Sequence, residues 1–186
     1  MPALSTTSEL ADRLLGERIV LLARELDDDA AAEVCGRLLL LAAEDARRDV
    51  TLQVVSPGGS PVAAMAVHDT MRSLRTDVVT VATGSLAGPV PFLVASGTAG
   101  KRFALPHAAF LPAMDDTAGQ ARGARPGDVR VRADHLARRR DEIETLTARY
   151  CGRPLPDDAR TRWWSADEAV ALGLVDRIHG TDTRNG

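Results

Sequence analysis

Residues 50–74, VTLQVVSPGGSPVAAMAVHDTMRSL, carry the clearest signal of the fold in this 186-residue chain. The run Val50 to Val55 is the kind of short apolar sequence that forms a buried strand, and Ser60 to Leu74 carries apolar residues at helical spacing. A second predicted strand, Val78 to Ala82, follows directly. A strand, a helix and a strand in succession predict a parallel pair joined by a crossover helix, so the pattern indicates an α/β protein.

The same alternation continues on both sides of this unit. Further strands are predicted at Arg18–Ala23, Arg102–Leu105, Ala108–Leu111 and Val175–Ile178, and further helices at Asp28–Asp45, around Phe92–Ser96 and at Val129–Tyr150. Ser165-Ala166-Asp167-Glu168 has the form of a capping box that opens the last helix, and Gly173 is suited to ending it. The sequence therefore predicts one sheet whose strands are mostly parallel.

Composition supports one globular domain over residues 1–186, with tails at 1–9 and 181–186 and a flexible loop at Thr117–Gly127. Hydrophobic residues make up 45% of the chain and charged residues 26%, and the net charge of −3 argues against nucleic-acid or membrane binding. Two cysteines, Cys35 and Cys151, provide neither a disulfide framework nor a zinc site. No secretory signal or long apolar run is visible, so we expect a cytoplasmic protein.

The turn Ser56-Pro57-Gly58-Gly59-Ser60 lies between a predicted strand and a predicted helix. Paired glycines let a backbone approach a ligand closely, and N–H groups at a helix start can bind an oxyanion or a phosphate. The segment matches neither of the common phosphate-binding glycine motifs. Alone, it is equally consistent with a tight turn and with a binding site.

Several motifs occur together in a fixed order. They are Glu17-Arg18-Ile19, Ser56-Pro57-Gly58-Gly59-Ser60, His68-Asp69-Thr70-Met71, Gly100-Lys101-Arg102-Phe103-Ala104-Leu105-Pro106, Ser165-Ala166-Asp167-Glu168-Ala169 and Gly173-Leu174-Val175-Asp176. In this order and at these distances the set closely resembles the proteolytic subunit of the ATP-dependent Clp protease, over roughly residues 10–178.

The resemblance implies a crotonase-like α/β fold with a projecting handle, here at about residues 114–150. It implies a heptameric ring, two rings stacked through their handles around a degradation chamber, and docking of a Clp ATPase on the ring ends. Members of this family are serine endopeptidases with a Ser-His-Asp triad and with neither a metal nor an organic cofactor. The short segment before Leu10, and Pro126-Gly127 before the predicted handle helix, depart from the family pattern.

The resemblance also assigns the catalytic positions, and this chain departs from the pattern there. Gly88 occupies the position of the nucleophilic serine, Ala113 that of the histidine, and Asp157 matches the third member of the triad. Gly58 and Gly59 retain one side of the family's oxyanion hole, whereas Pro89 occupies the position whose backbone N–H would be the other donor. A proline has no such N–H.

These departures predict an inactive subunit that acts structurally or as a regulator, by co-assembly with an active paralogue. Two alternatives remain open. A relocated nucleophile at Ser85 with His107 as base would restore a peptidase, and the paired glycines would suit an acyl-CoA-binding or acyl-transfer protein of the wider crotonase type. We expect His68 to pack in the core, Trp163 and Trp164 to pack at the domain edge, and the Arg-rich segment 122–140 to be a salt-bridged helix or a contact between rings.

Overall fold

In a computed structural model, which describes residues 6–114 and 126–180, one sheet runs through the molecule. The strands are β1 (Ile19–Leu22), β2 (Val50–Ser56), β3 (Val78–Ala87), β4 (Arg102–Ala104), β5 (Ala109–Leu111), β6 (Trp164–Ser165) and β7 (Arg177–Ile178). The order is β1-β2-β3-β4-β7, while β5 pairs with the far end of β3 and also with β6. Every pairing is parallel except that of β5 with β6, which confirms the predicted α/β class.

Strand β3 is long enough to pair with two different strands along the same edge, one after the other. Its first half pairs with β4, and Ser85–Ala87 pair with β5. Between the two halves the register with β2 shifts, from Val54 opposite Ala82 to Ser56 opposite Leu86. Gly84, at a φ of +61°, lies in this irregular segment, where glycine adopts a left-handed backbone at little cost. The sequence predicts a strand that ends at Ala82, so the prediction was wrong about its length.

Helices cover the sheet. They are α1 (Thr6–Gly16), α2 (Asp28–Glu44), α3 (Pro61–Ser73), α4 (Val90–Ala95), α5 (Pro126–Cys151) and α6 (Ala166–Leu172), with a short 3-10 helix, η1, at Asp157–Arg160. Asp27 caps α2 by accepting from the Ala30 N–H at 2.7 Å, and Ser60 caps α3 by accepting from Ala63. Side chains in α2, α3 and α4 pack on the sheet to form the apolar core.

The end of the chain follows the predicted signals closely. Both hydrogen bonds of the capping box at α6 are present, between Ser165 and Glu168, and Gly173 ends the helix at a φ of +81°. The Ser165 backbone N–H and then the Arg162 guanidinium hold the pKa of the Glu168 carboxyl below its usual value. Local hydrogen bonding alone defines these boundaries, which explains why the sequence predicts them correctly.

A buried arginine ties the ends of several elements together. Arg102 pairs with the Asp176 carboxylate at 2.6 Å, and its guanidinium also donates to the carbonyl oxygens of Ala95, Tyr150 and Gly173. These carbonyls belong to the ends of α4, α5 and α6. Arg102 therefore fixes the ends of these three helices against the sheet.

Other predicted boundaries differ from the structure. Helix α1 begins at Thr6, inside the segment expected to be a tail, and α5 begins at Pro126, where proline suits the first turn of a helix. The closing strand is only Arg177–Ile178, and the sequence does not predict η1 or β6. Most of the expected loop at Thr117–Gly127, and the tail at 181–186, lie outside the described residues.

Candidate active-site cleft

The turn after β2 is built around two glycines that need to be glycine. Gly58 and Gly59 have φ angles of +136° and +144°. The turn is pinned to the segment before α2, because the Leu26 N–H donates to the Gly58 oxygen at 2.9 Å and the Ser60 N–H donates to the Leu26 oxygen at 2.8 Å. A Cβ on Gly59 would lie 2.3 Å from that Leu26 oxygen. Close contact between two backbones therefore excludes every side chain at position 59.

A buried hydroxyl supports the same turn from within. Ser56, fully buried at the end of β2, donates its Oγ hydrogen to the Gly58 oxygen at 3.0 Å. The Gly58 N–H lies 3.4 Å from the same Oγ. Ser56 therefore has a structural role, and its hydroxyl is held within the turn rather than presented to the cleft.

Gly88 lies against this turn at the end of β3. A Cβ built on Gly88 would be 3.4 Å from the Gly58 Cα, 3.7 Å from the Gly59 nitrogen and 3.9 Å from the Ala113 oxygen. The four residues therefore come together, although they are separated in sequence, because β2, β3 and β5 end at the same edge of the sheet. The resemblance assigns all four of these residues to the family's catalytic site.

The backbone at Gly88 has an unusual conformation, with a φ of +62°. Pro89 follows at a φ of −79° and directly precedes α4. Pro89 is buried and cannot donate a backbone hydrogen bond into the cleft. Gly88 and Ala113 lie beside the glycine turn, and neither residue has a hydroxyl, thiol or imidazole group.

Two cavities meet at Gly88. A cleft of about 910 Å³ is lined by the glycine turn, by Ala113, Pro89 and the exposed Trp163, and by the acidic residues Glu25, Asp27 and Asp28. A second cavity of about 290 Å³ extends from Gly88 towards α5 and η1. Its apolar lining comprises Phe92, Met114, Ile143 and Leu155, among others. Gly88 thus lies in the walls of both cavities.

Asp157 lies in the wall of this second cavity, as the first residue of η1, with its side chain exposed. Trp164 holds η1 in place by donating its indole N–H to the Ala159 oxygen at 3.0 Å, and the Arg162 guanidinium stacks 3.4 Å above the Trp164 ring. The structure therefore brings Asp157 to the same cavity as Gly88. Trp164 packs as expected, but Trp163 is 47% exposed and lines the cleft, a role that the sequence did not predict.

Two hydroxyls from the described part of the chain line these cavities, and both already have hydrogen-bonding partners. Ser60 caps α3, and Thr147 donates to the Ile143 oxygen at 2.7 Å. Ser85 and His107 are both exposed, and neither lines these two cavities. The structure therefore does not bring the pair Ser85 and His107 to the glycine turn.

His68 packs in the core, as predicted. It is 6% exposed, its Nε2 lies 2.8 Å from the Tyr150 hydroxyl, and its Nδ1 lies 3.0 Å from the Asp69 carboxylate. Its ring contacts Phe92 and Tyr150. Burial raises the pKa of the Tyr150 phenol, which keeps this group a neutral hydrogen-bonding partner. His68 therefore connects α3 to α5 and is buried among aromatic rings.

Within residues 6–114 and 126–180, no group of His, Cys, Asp or Glu side chains is arranged to hold a metal ion. No helix in the described part of the chain has the length and hydropathy needed to cross a bilayer.

Comparison with known proteins gives one consistent result. The family model described as Clp protease matches residues 4–182. The ATP-dependent Clp protease proteolytic subunit 1 of Mycobacterium tuberculosis is 42% identical over 179 residues, which cover 94% of this chain and 88% of that protein. Subunit 3 of Streptomyces coelicolor is 41% identical over 181 residues, covering 95% of this chain and 82% of the relative.

The agreement extends to a third genus. Subunit 2 of Corynebacterium glutamicum is 40% identical over 175 residues, which cover 92% of this chain and 86% of the relative. The family-model match, over residues 4–182, includes all seven strands and all six α-helices described above. These matches confirm the resemblance and the expected fold. The chain belongs to the Clp protease family.

Proposed function

We propose that this chain is a noncatalytic subunit of a Clp-type proteolytic chamber, which acts through assembly with an active subunit of the same family. Its relatives are named as proteolytic subunits of an ATP-dependent protease. The chain has the fold of this family. The positions that the resemblance assigns to the nucleophile and the base are Gly88 and Ala113, which carry neither group.

The observation that carries the proposal is that Gly88 and Ala113, which lie beside Gly58 and Gly59, have no side chain that could act as a nucleophile or a base. Peptide hydrolysis by a triad needs a nucleophile and a base that takes its proton. Gly88 and Ala113 offer neither. In a serine protease, loss of either residue alone lowers turnover by about 10⁶-fold, and loss of both costs little more.

Pro89 adds an independent defect. Even with a nucleophile in place, the tetrahedral intermediate would need N–H donors on both sides of its oxyanion. The Gly58-Gly59 turn supplies one side, while Pro89 has no hydrogen to supply the other. Loss of one oxyanion donor lowers turnover by about 10²–10³-fold. The nucleophile, the base and one oxyanion donor are thus all missing from the positions that the resemblance assigns. These three defects support the proposal that the subunit does not carry out proteolysis.

The remaining roles are structural. We propose that the chain occupies a position in a heptameric ring beside an active paralogue in the cytoplasm, and that α5 takes part in contacts between rings. The long helix α5 has 26 residues, so it spans about 39 Å. In this position the chain would shape the chamber and its access, and its partner would cut.

The test has two parts. The purified chain is first incubated with fluorogenic peptides and with a serine-reactive phosphonate, and we expect neither hydrolysis nor a mass adduct. It is then mixed with a tagged active subunit from the same cell and analysed by native mass spectrometry, and we expect mixed complexes. The partner with its nucleophilic serine replaced by alanine is the matched control for peptide hydrolysis.

Two results would contradict the proposal. A phosphonate adduct on this chain would show that it carries an active nucleophile, and Ser85→Ala would then test whether that nucleophile has been relocated. Exclusion of the chain from every mixed complex would refute the structural role.

A further inference from the structure

A charged cluster joins the first residues of three neighbouring strands, at the end of the sheet away from the cleft. Asp49 directly precedes β2, Asp77 directly precedes β3, and Lys101 directly precedes β4. The Lys101 ammonium lies 2.6 Å from the Asp49 carboxylate and 2.8 Å from the Asp77 carboxylate. One cation thus links two carboxylates that would otherwise repel each other.

The surrounding backbone holds this cluster in position. The Lys101 N–H donates to the Thr98 oxygen at 2.9 Å, and the Lys101 oxygen accepts from the Thr80 N–H at 3.1 Å. The hydroxyl of Thr98 lies 3.5 Å from the other oxygen of Asp77. Since the strand register fixes all three residues, the lysine side chain reaches both carboxylates without distorting the sheet.

Lys101 is also the one lysine in the 186-residue sequence, since every other basic residue is an arginine or a histidine. Its side chain is 36% exposed, so reagents in water can reach it. Any chemistry directed at a lysine amine in this sequence therefore has a single side-chain target. That target is held between two negative charges.

We propose that Lys101 is a guarded acylation site: Asp49 and Asp77 suppress its reaction with activated acyl donors, and its acylation releases the link between the three strands. The donor is of the activated-ester or acyl-thioester class. The neutral amine attacks the acyl carbon, the carbon–nitrogen bond forms as the bond to the leaving oxygen or sulfur breaks, and the amine proton goes to the solvent.

The two effects have the same cause. Hydrogen bonds from Lys101 to Asp49 and Asp77 raise the pKa of its ammonium, so less of the reactive neutral amine is present. The acylated nitrogen has no charge and cannot neutralise the two carboxylates. The amine must leave its contacts with both carboxylates before it can attack, so the contacts that slow acylation are the same ones whose loss weakens the link between the strands.

The reactivity test uses the acetyl ester of N-hydroxysuccinimide with the full chain. Peptide mapping by mass spectrometry follows acetylation at Lys101 separately from the α-amino group. We expect Lys101 in the folded wild type to react about tenfold more slowly than in the same chain unfolded by urea. The folded double variant Asp49→Asn/Asp77→Asn should react at close to the unfolded rate, and circular dichroism confirms that this variant is folded.

The stability test is independent of that variant. Lys101→Gln imitates the loss of charge, and Lys101→Arg is the matched control that keeps it. We expect Lys101→Gln to lower Tm by about 2–4 °C and Lys101→Arg to leave it within about 1 °C. Equal acetylation rates in the folded and unfolded wild type would overturn the proposal. So would slow acetylation that persists in the double variant, or equal Tm values for the two lysine variants.

Discussion

Because Gly59 contacts the Leu26 backbone, position 59 should be the position of the cleft at which an added side chain costs the most stability. The variant Gly59→Ala tests this expectation. The new Cβ would lie 2.3 Å from the Leu26 oxygen and 2.7 Å from the Leu26 nitrogen, both of them backbone atoms that cannot rotate away. The segment around Leu26 must therefore move. Its hydrogen bonds at 2.8 and 2.9 Å to Ser60 and Gly58 would then lengthen or break.

The expected cost follows from two contributions. A side chain at a φ of +144° brings backbone strain of about 1–3 kcal/mol. Loss of two backbone hydrogen bonds adds about 0.5–1.5 kcal/mol each. The free energy of unfolding should therefore fall by about 2–6 kcal/mol, which lowers Tm by about 5–20 °C in a chain of this size.

Gly58→Ala is the matched control. Its φ of +136° carries similar strain, but the nearest atom to its Cβ would be 3.8 Å away, an ordinary contact. The free energy of unfolding of Gly58→Ala should therefore fall only by the cost of the backbone strain, about 1–3 kcal/mol. Urea denaturation of both variants and of the wild type measures the difference. If the free energies of unfolding of the two variants agree within about 0.5 kcal/mol, the collision with Leu26 does not determine the cost of a side chain at position 59.

Three further predictions concern other parts of the chain. Burial alone would raise the pKa of Asp176, but its hydrogen bonds to Arg102 and the charge of Arg102 outweigh burial, so the net effect is a lowered pKa. The ion pair therefore stabilises the fold fully above about pH 4, and this contribution to stability falls as the pH is lowered further. Asp176→Asn should cost about 3 kcal/mol at pH 7 in urea denaturation, and a gap that stays constant down to pH 2 would contradict this. Burial raises the pKa of the Cys151 thiol to about 11, so iodoacetamide at pH 8 should alkylate it about two orders of magnitude more slowly than a free cysteine; an equal rate would refute the predicted burial effect. Gly36→Ala places a methyl group in open space within α2 and should raise the unfolding free energy by about 0.5–1 kcal/mol, whereas a loss of stability would show a hidden contact.

Locally determined features of the fold were predictable from the sequence. The capping box at Ser165 and the left-handed cap at Gly173 depend on neighbouring residues alone, and both are present. The late half of β3 was missed because it depends on pairing with β5, which is distant in sequence. Strand β6 and helix η1 are too short to have a periodicity, so they form through tertiary contacts such as that between Trp164 and Ala159.

The cleft was predictable only in part, and for a similar reason. The paired glycines indicate a close backbone approach, and the resemblance places Gly88 and Ala113 beside them. No local pattern shows that the Gly59 contact is with Leu26, because that contact joins two loops through a parallel bridge. Trp163 was expected at the domain edge, and its place in the cleft wall depends on how β6 pairs with β5.

The backbone at Gly88 has a consequence for how this gene can change. Few residues other than glycine tolerate a φ of +62°, so most point mutations at that codon carry a cost in stability. Some glycine and serine codons differ by a single nucleotide, and a Cβ at this position would meet nothing closer than 3.4 Å. Serine at this position would therefore place a hydroxyl where the two cavities meet without a backbone collision, at a cost in backbone strain.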